Sequence, residues 1–207
     1  VESHAKATAA RESGLFRDEL VVISTPEGLV EADGCIRPGT HLEALAQLKP
    51  AFGGSVTAGT ASPLTDGSAA VLVCSEDFAR RHRLNIFARI KAVAVGGCAP
   101  EIMGMGPVVA TRKVLQRAGL RIEDIDLVEI NEAFASQSLA CVRELGLDMA
   151  KVNLDGGALA LGHPLGATGA RITGKAASLL QRTGGRYAIA TQCIAGGQGV
   201  ATLLEAV

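Results

Sequence analysis

The sequence predicts an α/β domain in which strands alternate with helices and the last two strands lie antiparallel. Three observations carry this expectation. Short apolar runs at Leu127–Ile130, Arg186–Cys193 and Gly199–Glu205 are separated by longer stretches of helical periodicity. Glycine and proline mark the boundaries, as at Pro107, Gly119 and Gly166. The final two runs are joined by a turn too short for anything but a hairpin.

Taken in order, residues 1–20 read as a helix broken at Gly14. Residues 21–54 have poor periodicity and repeated turn signals, such as Thr25-Pro26-Glu27-Gly28 and Arg37-Pro38-Gly39-Thr40. They predict a loop region with one short helix at 40–48. Ser68–Ser75 is an apolar run that predicts a buried strand, Asp77–His82 a short helix, and Ile86–Val95 a second strand. Pro107 opens a helix through Ala118 that Gly119 ends. Leu127–Ile130 predicts a short buried strand and Glu132–Leu145 a helix preceded by Asn131. Lys151–Leu154 predicts another strand, and Gly166–Gln181 a helix that brings Arg171, Lys175 and Arg182 toward its C-terminal part. No internal repeat is visible.

Composition narrows the function. The chain has 207 residues, of which 48% are hydrophobic and 20% charged, enough for a sizeable core. The net charge is −1 with both signs interspersed, so nothing suggests a nucleic-acid surface. The five cysteines show no CxxC and no short histidine spacing, which argues against a metal site and for free thiols in a reducing compartment. No apolar run approaches the roughly 18 residues of a membrane span, and no signal-peptide pattern opens the chain. Val1 falls in what reads as the middle of a helix, so the chain is read as a fragment or a processed product.

Chemistry concentrates in two Gly-rich turns. Gly162-His163-Pro164-Leu165-Gly166-Ala167-Thr168-Gly169-Ala170-Arg171 presents a histidine, and Cys193-Ile194-Ala195-Gly196-Gly197-Gln198-Gly199 presents a thiol. Backbone with so few Cβ atoms lets a substrate approach and leaves N–H groups free for an oxyanion. A neutral imidazole can take a thiol proton. Against this stands the ordinary reading of each residue: a turn histidine, a small buried hydrophobe, and at Asn131 a helix N-cap. The small-hydrophobe reading is adopted for Cys35, Cys74, Cys98 and Cys141. No GxGxxG or Walker pattern supports phosphate binding by the glycines.

Four motifs in order resemble the C-terminal half of a thiolase (acetyl-CoA acyltransferase): Thr57–Gly67, Met103-Gly104-Met105-Gly106-Pro107, Asn131-Glu132-Ala133-Phe134-Ala135, and the two Gly turns taken together. The resemblance implies a thiolase-like layered α/β fold. Residues 1–54 would be part of a loop domain and 55–82 the closing strands of the N-terminal domain. Residues 83–207 would be a C-terminal β-α-β-α-β-β domain with a mixed sheet. It implies that His163 activates a nucleophilic cysteine and contributes to an oxyanion hole. Cys193 would shuttle a proton, Asn131 would fix a water in the oxyanion hole, and Ala195 would offer an oxyanion N–H. Glu132 either orients that network or favours the helix dipole. Ser62 and Ala58 match contacts to pantetheine, Met103 a position near the acyl pocket, and Arg37 and Phe52 positions near the CoA adenine.

Two departures from the family pattern are visible. Ala195 replaces the first glycine of Cys-x-Gly-Gly, and Thr60-Ala61-Ser62-Pro63 stands where Asn-Ala-Ser-Gly is common. The family's nucleophilic cysteine lies in a Cys-x-Ser-Gly turn, which this sequence lacks.

The resemblance therefore implies a CoA-dependent acyltransferase acting on 3-oxoacyl-CoA, or running the reverse Claisen condensation. Neither a metal nor a bound organic cofactor is required, coenzyme A being a substrate. The implied partners are an N-terminal thiolase segment carrying the nucleophile and further copies in a dimer or tetramer. The implied setting is the cytoplasm or an organelle matrix. A ketoacyl synthase would pair two histidines with its nucleophile, so one His with one Cys favours thiolase. The alternative from another class is a non-catalytic acyl-CoA-binding fragment or complementing subunit. Isolated, the chain is expected to be inactive in thiolysis and poorly soluble.

Overall fold

The computed structural model describes all residues from Val1 to Val207. The elements are α1 (Glu2–Glu12), β1 (Ile23–Thr25), β2 (Gly28–Val30), α2 (Leu42–Ala46), α3 (Glu76–Arg81), β3 (Arg89–Gly97) and α4 (Gly106–Ala118). They continue as β4 (Leu127–Ile130), α5 (Ala135–Leu145), α6 (Ala158–Leu161), α7 (Thr168–Thr183), β5 (Tyr187–Ile194) and β6 (Gln198–Glu205).

β3, β6, β5 and β4 form one sheet in that order. β4 runs parallel to β5, while β6 is antiparallel to both β5 and β3. The sheet is therefore mixed, as expected. Period-two alternation sends successive side chains to opposite faces. Val128, Ile130, Ile189 and Leu203 join α4 and α5 in the larger core. Leu127, Ala188, Ala190 and Leu204 meet Ile172, Ala176 and Leu179 of α7 on the other face. At about 1.5–3 kcal/mol per buried large aliphatic chain, these two layers supply most of the driving force for this region.

Backbone detail explains the boundaries. α4 has Pro107 in its first turn and ends at Gly119, whose φ of 66° is the left-handed cap the sequence predicts. Gly106 and Gly199 meet so closely that a Cβ on Gly106 would overlap the Gln198 carbonyl, which brings α4 onto β6.

Several expectations are corrected. Ser68–Ser75 is not a buried strand: it belongs to no strand, and Leu72 is 73% and Val73 67% exposed. No strand runs beside it to complete a hydrogen-bond ladder, so the apolar run has neither ladder nor cover. Within that segment Cys74 is exposed rather than buried, whereas Cys141 is buried as expected. The strand expected at Lys151–Leu154 is a short 3-10 turn at Met149–Lys151 with an isolated bridge between Val152 and Val128. The strand expected at Ile86–Val95 is shifted to Arg89–Gly97. The loop region holds a small hairpin, β1 with β2, which the turn signal at Pro26–Gly28 marks.

Candidate active site

β4 and β5 are parallel, and their carboxyl ends carry Asn131 and Cys193. The turn between α6 and α7 brings His163 to the same end. His163 thus lies in a turn between two helices. Asn131 does not cap a helix either. Its N–H donates to Thr191 O at 2.9 Å, which extends the β4–β5 pairing, and α5 starts only at Ala135. Ordinary N-cap chemistry therefore does not account for this fully buried asparagine.

The imidazole is held at both nitrogens. Nδ1 lies 2.7 Å from Thr168 Oγ1, and that hydroxyl donates to Pro164 O at 3.1 Å. With the hydroxyl proton given to Pro164 O, Oγ1 accepts from Nδ1–H, and in that tautomer the lone pair sits on Nε2. Nε2 is 3.2 Å from Asn131 Nδ2, which donates to it. The backbone N–H of His163 donates to Thr65 Oγ1 at 3.2 Å. Burial, aided by the Arg171 charge, holds the imidazole below its ordinary pKa. His163 is therefore a neutral imidazole whose Nε2, in this tautomer, is able to accept a proton.

Cys193, the penultimate residue of β5, lies opposite Gly199 and is half-buried. Burial, with Cys98 nearby, pushes its thiol above the ordinary value, so it is protonated at neutral pH. The two groups are thus displaced in opposite directions, one toward a free base and the other toward a retained acid. Ala195 is exposed in the turn that follows, its φ is not positive, and its N–H has no backbone acceptor. Gly196 and Gly197 take the left-handed conformations, with φ of 84° and 91°. Gly197 O accepts from Cys98 N–H at 2.7 Å, which pins the turn to the end of β3.

The other candidate residues form no single cluster with these. Ser62 Oγ donates to Ala133 O at 3.3 Å and Ala61 bridges Phe134, so that loop is docked beside the Asn131 segment. Ala58 on the same loop is exposed, and Met103 is half-buried in the 3-10 turn before α4. Arg37 is exposed; its N–H donates to His4 Nδ1 at 3.1 Å and its carbonyl accepts from Thr40 Oγ1 at 2.7 Å. Phe52 is fully exposed with φ of 54°.

Sequence reading missed Thr168, Thr65 and Asn153. Thr168 stands five residues after His163 inside the quoted motif, a spacing that could have identified it. Thr65, though inside the Thr57–Gly67 motif, and Asn153 come from segments distant from His163, and nothing in the sequence links either to it. Glu132, left open between two roles, proves to be a hub. It accepts from Ser3 Oγ at 2.6 Å, Leu159 N at 3.0 Å and Asn153 Nδ2 at 3.1 Å. No group of three or more metal-ligating side chains is assembled, and no helix is long and apolar enough to cross a membrane.

Comparison with known proteins adds an independent line. The family model for the thiolase C-terminal domain matches residues 84–206, and that for the thiolase N-terminal domain matches residues 1–77. The chain is 50% identical over 214 residues to a 3-ketoacyl-CoA thiolase of Vibrio parahaemolyticus, covering 98% of the chain and 55% of that protein. It is also 50% identical to the 3-ketoacyl-CoA thiolase of Citrobacter koseri, covering 99% of the chain and 56% of that protein. Among solved structures, human mitochondrial 3-ketoacyl-CoA thiolase in complex with CoA superposes with a TM-score of 0.92 at 46% identity, covering 100% of this chain and 53% of that one. Bacillus anthracis acetyl-CoA acetyltransferase gives 0.93 at 47%, covering 99% and 54%. The chain spans about half the length of the curated relatives it matches.

Proposed function

Because this chain belongs to the thiolase family, we propose that it supplies the His/Cys/Asn half of a thiolase site. The reaction is CoA-dependent thiolysis of a 3-oxoacyl-CoA, or its reverse, the Claisen condensation of acetyl-CoA. The observation that carries the reading is the pairing of a neutral His163, basic at Nε2, with a protonated Cys193 at one end of the sheet.

The steps follow from those protonation states. A cysteine on an N-terminal thiolase segment gives its proton to His163 Nε2 and attacks the 3-keto carbon. The C2–C3 bond breaks, and the acetyl-CoA carbanion takes the Cys193 proton, leaving an acyl thioester on the nucleophile. Incoming CoA loses its thiol proton to the Cys193 thiolate and attacks that thioester, which frees acyl-CoA as the nucleophilic cysteine leaves and takes its proton back from His163. The Ala195 N–H, His163 and a water on Asn131 stabilise the oxyanions. Each positioned proton transfer contributes about 10²–10⁴ in rate.

Ser62, Ala58, Met103, Arg37 and Phe52 are assigned to the acyl-CoA side of the site, with Phe52 free to stack on an adenine. Residues 1–54 serve as loop domain, 55–82 as part of the N-terminal domain and 83–207 as C-terminal domain. The assembled enzyme is a homo-oligomer.

The test is thiolysis of a 3-oxoacyl-CoA by this chain combined with a nucleophile-bearing N-terminal thiolase segment. Turnover is expected, and His163→Ala should slow acyl-enzyme formation by at least about a hundredfold, since base and oxyanion donor vanish together. Acylation at the wild-type rate in that variant would refute the assignment. CoA binding without any turnover would instead favour the non-catalytic acyl-CoA-binding alternative.

A further inference from the structure

β4 is an edge strand, so the outward N–H and C=O of Ile130 have no strand beside them. The side chain of Asn153 takes the place of one. Its Oδ1 accepts from Ile130 N at 2.8 Å and its Nδ2 donates to Ile130 O at 2.9 Å. Its backbone N–H donates to Val128 O at 2.9 Å. Nδ2 also reaches Glu132 Oε1 at 3.1 Å. One buried side chain therefore grips the residues on either side of Asn131. It does so from a left-handed backbone with φ of 46°, a conformation asparagine tolerates better than most residues.

The same cluster reaches the other half of the pair. Glu132 Oε2 accepts the N–H of Leu159 in α6 and the hydroxyl of Ser3, which in turn accepts from Gly157 N at 3.0 Å. α6 leads through Gly162 directly into His163. Asn131 and His163 thus arrive on separate segments that share one anchor.

We propose that Asn153 is a positioning residue. Through Ile130 and Glu132 it sets the register in which the Asn131 amide meets the basic nitrogen of His163. The consequence for turnover rests on the thiolase reading, but the geometry can be tested without it.

The experiment is ¹⁵N NMR of the neutral His163 imidazole in the 207-residue chain, kept in solution by a fused solubility partner. Wild type should show the Nδ1–H tautomer and a hydrogen-bonded Nε2. Asn153→Gly suits the left-handed φ and deletes only the side-chain bonds. It should move the Nε2 resonance toward that of an unbonded nitrogen and lower the tautomer ratio by about fivefold, the size of one lost neutral hydrogen bond. The paired change Asn153→Asp with Glu132→Gln reverses the donor and acceptor of the Asn153–Glu132 link, and should recover part of the wild-type spectrum where Asn153→Asp alone does not. Leu179→Ala, in the α7-facing core, controls for lost stability and should leave the His163 spectrum unchanged.

With the nucleophile-bearing segment added, Asn153→Gly should lower kcat about tenfold with KM for CoA held within about twofold, the sign of lost positioning rather than lost binding. An unchanged His163 spectrum in Asn153→Gly, or equal changes in Leu179→Ala, would overturn the role. If wild type and variants all fail in thiolysis, the proposed function falls, while the imidazole spectrum still decides the role of Asn153.

Discussion

In residues 89–205, Ile130, Ile189 and Leu203 are sealed between sheet and helices; in residues 21–75, Val21 is 79%, Leu64 104% and Leu72 73% exposed. The first region closes its backbone bonds in a four-stranded sheet, and the second has only the three-residue strands β1 and β2 and the short helix α2. The proposed chemistry divides the same way. His163, Asn131 and Cys193, whose protons must pass over short distances, stand on the packed region. Arg37, Phe52, Ala58 and Ser62, the residues assigned to the bulk of the CoA, stand on the open one. Proton transfer tolerates little misplacement, whereas contacts to a long flexible substrate tolerate more. A rigid scaffold for chemistry and looser segments for binding are what that difference demands.

The largest expected effect tests the functional side of the contrast. Cys193→Ala should reduce hydrogen exchange at the acetyl-CoA methyl by at least about a hundredfold, because the proposed steps route the methyl proton through the Cys193 thiol. Deuterium wash-in followed by mass spectrometry, with the nucleophile-bearing segment present, reads this directly. Ser62→Ala, on the open region, should leave the exchange rate at saturating acetyl-CoA nearly unchanged. Comparable losses in both variants would erase the distinction between the regions.

A smaller effect tests the structural side. Gly106→Ala places a methyl against the Gln198 carbonyl, where only backbone could yield. Overpacking of that kind costs about 1–3 kcal/mol or more. Gly54→Ala, where nothing lies within 4 Å and φ is ordinary, should stay within about 0.5 kcal/mol of wild type. Urea unfolding of the two variants measures the difference, and equal midpoints would mean that the packed region is less tightly fitted than its geometry requires.

The same contrast governs what the sequence could reveal. Leu127–Ile130 and the last two strands were legible because each is a mostly apolar run closed by turns, with Glu129 the charged exception in β4. Ser68–Ser75 has a similar run, but an apolar pattern records a tendency to be covered, not the presence of a covering strand. The helix expected from Glu132 starts three residues later because Asn131 and Glu132 are spent on tertiary bonds instead of capping. His163 and Cys193 were visible through their glycines. Thr65 and Asn153 were not, since their roles exist only where segments distant in sequence meet.

The last contrast concerns Glu129, a carboxylic acid inside β4 that the proposed chemistry does not use. It is 1% exposed, and its Oε1 has no hydrogen-bond partner. Burial pushes its pKa from the usual 4.5 up to about 8, although Arg171 and Lys175 pull the other way; Asp155 and Glu132 add to the rise. The native state therefore keeps a proton that the unfolded chain releases. Its contribution to stability is complete below about pH 4.5 and is lost as pH rises toward 8, by at most about 1.4 kcal/mol per pH unit. Glu129→Gln has the same shape and no charge to develop, so it should flatten that decline. Hydrogen exchange localises the effect. After correction for the intrinsic rate, amides of β4 and β5 should lose protection with rising pH in wild type but not in Glu129→Gln. The β1–β2 hairpin, which shares none of this core, should show no such dependence in either protein. A pH-dependent loss in wild type that persists unchanged in Glu129→Gln would show that the packed region ionises somewhere else.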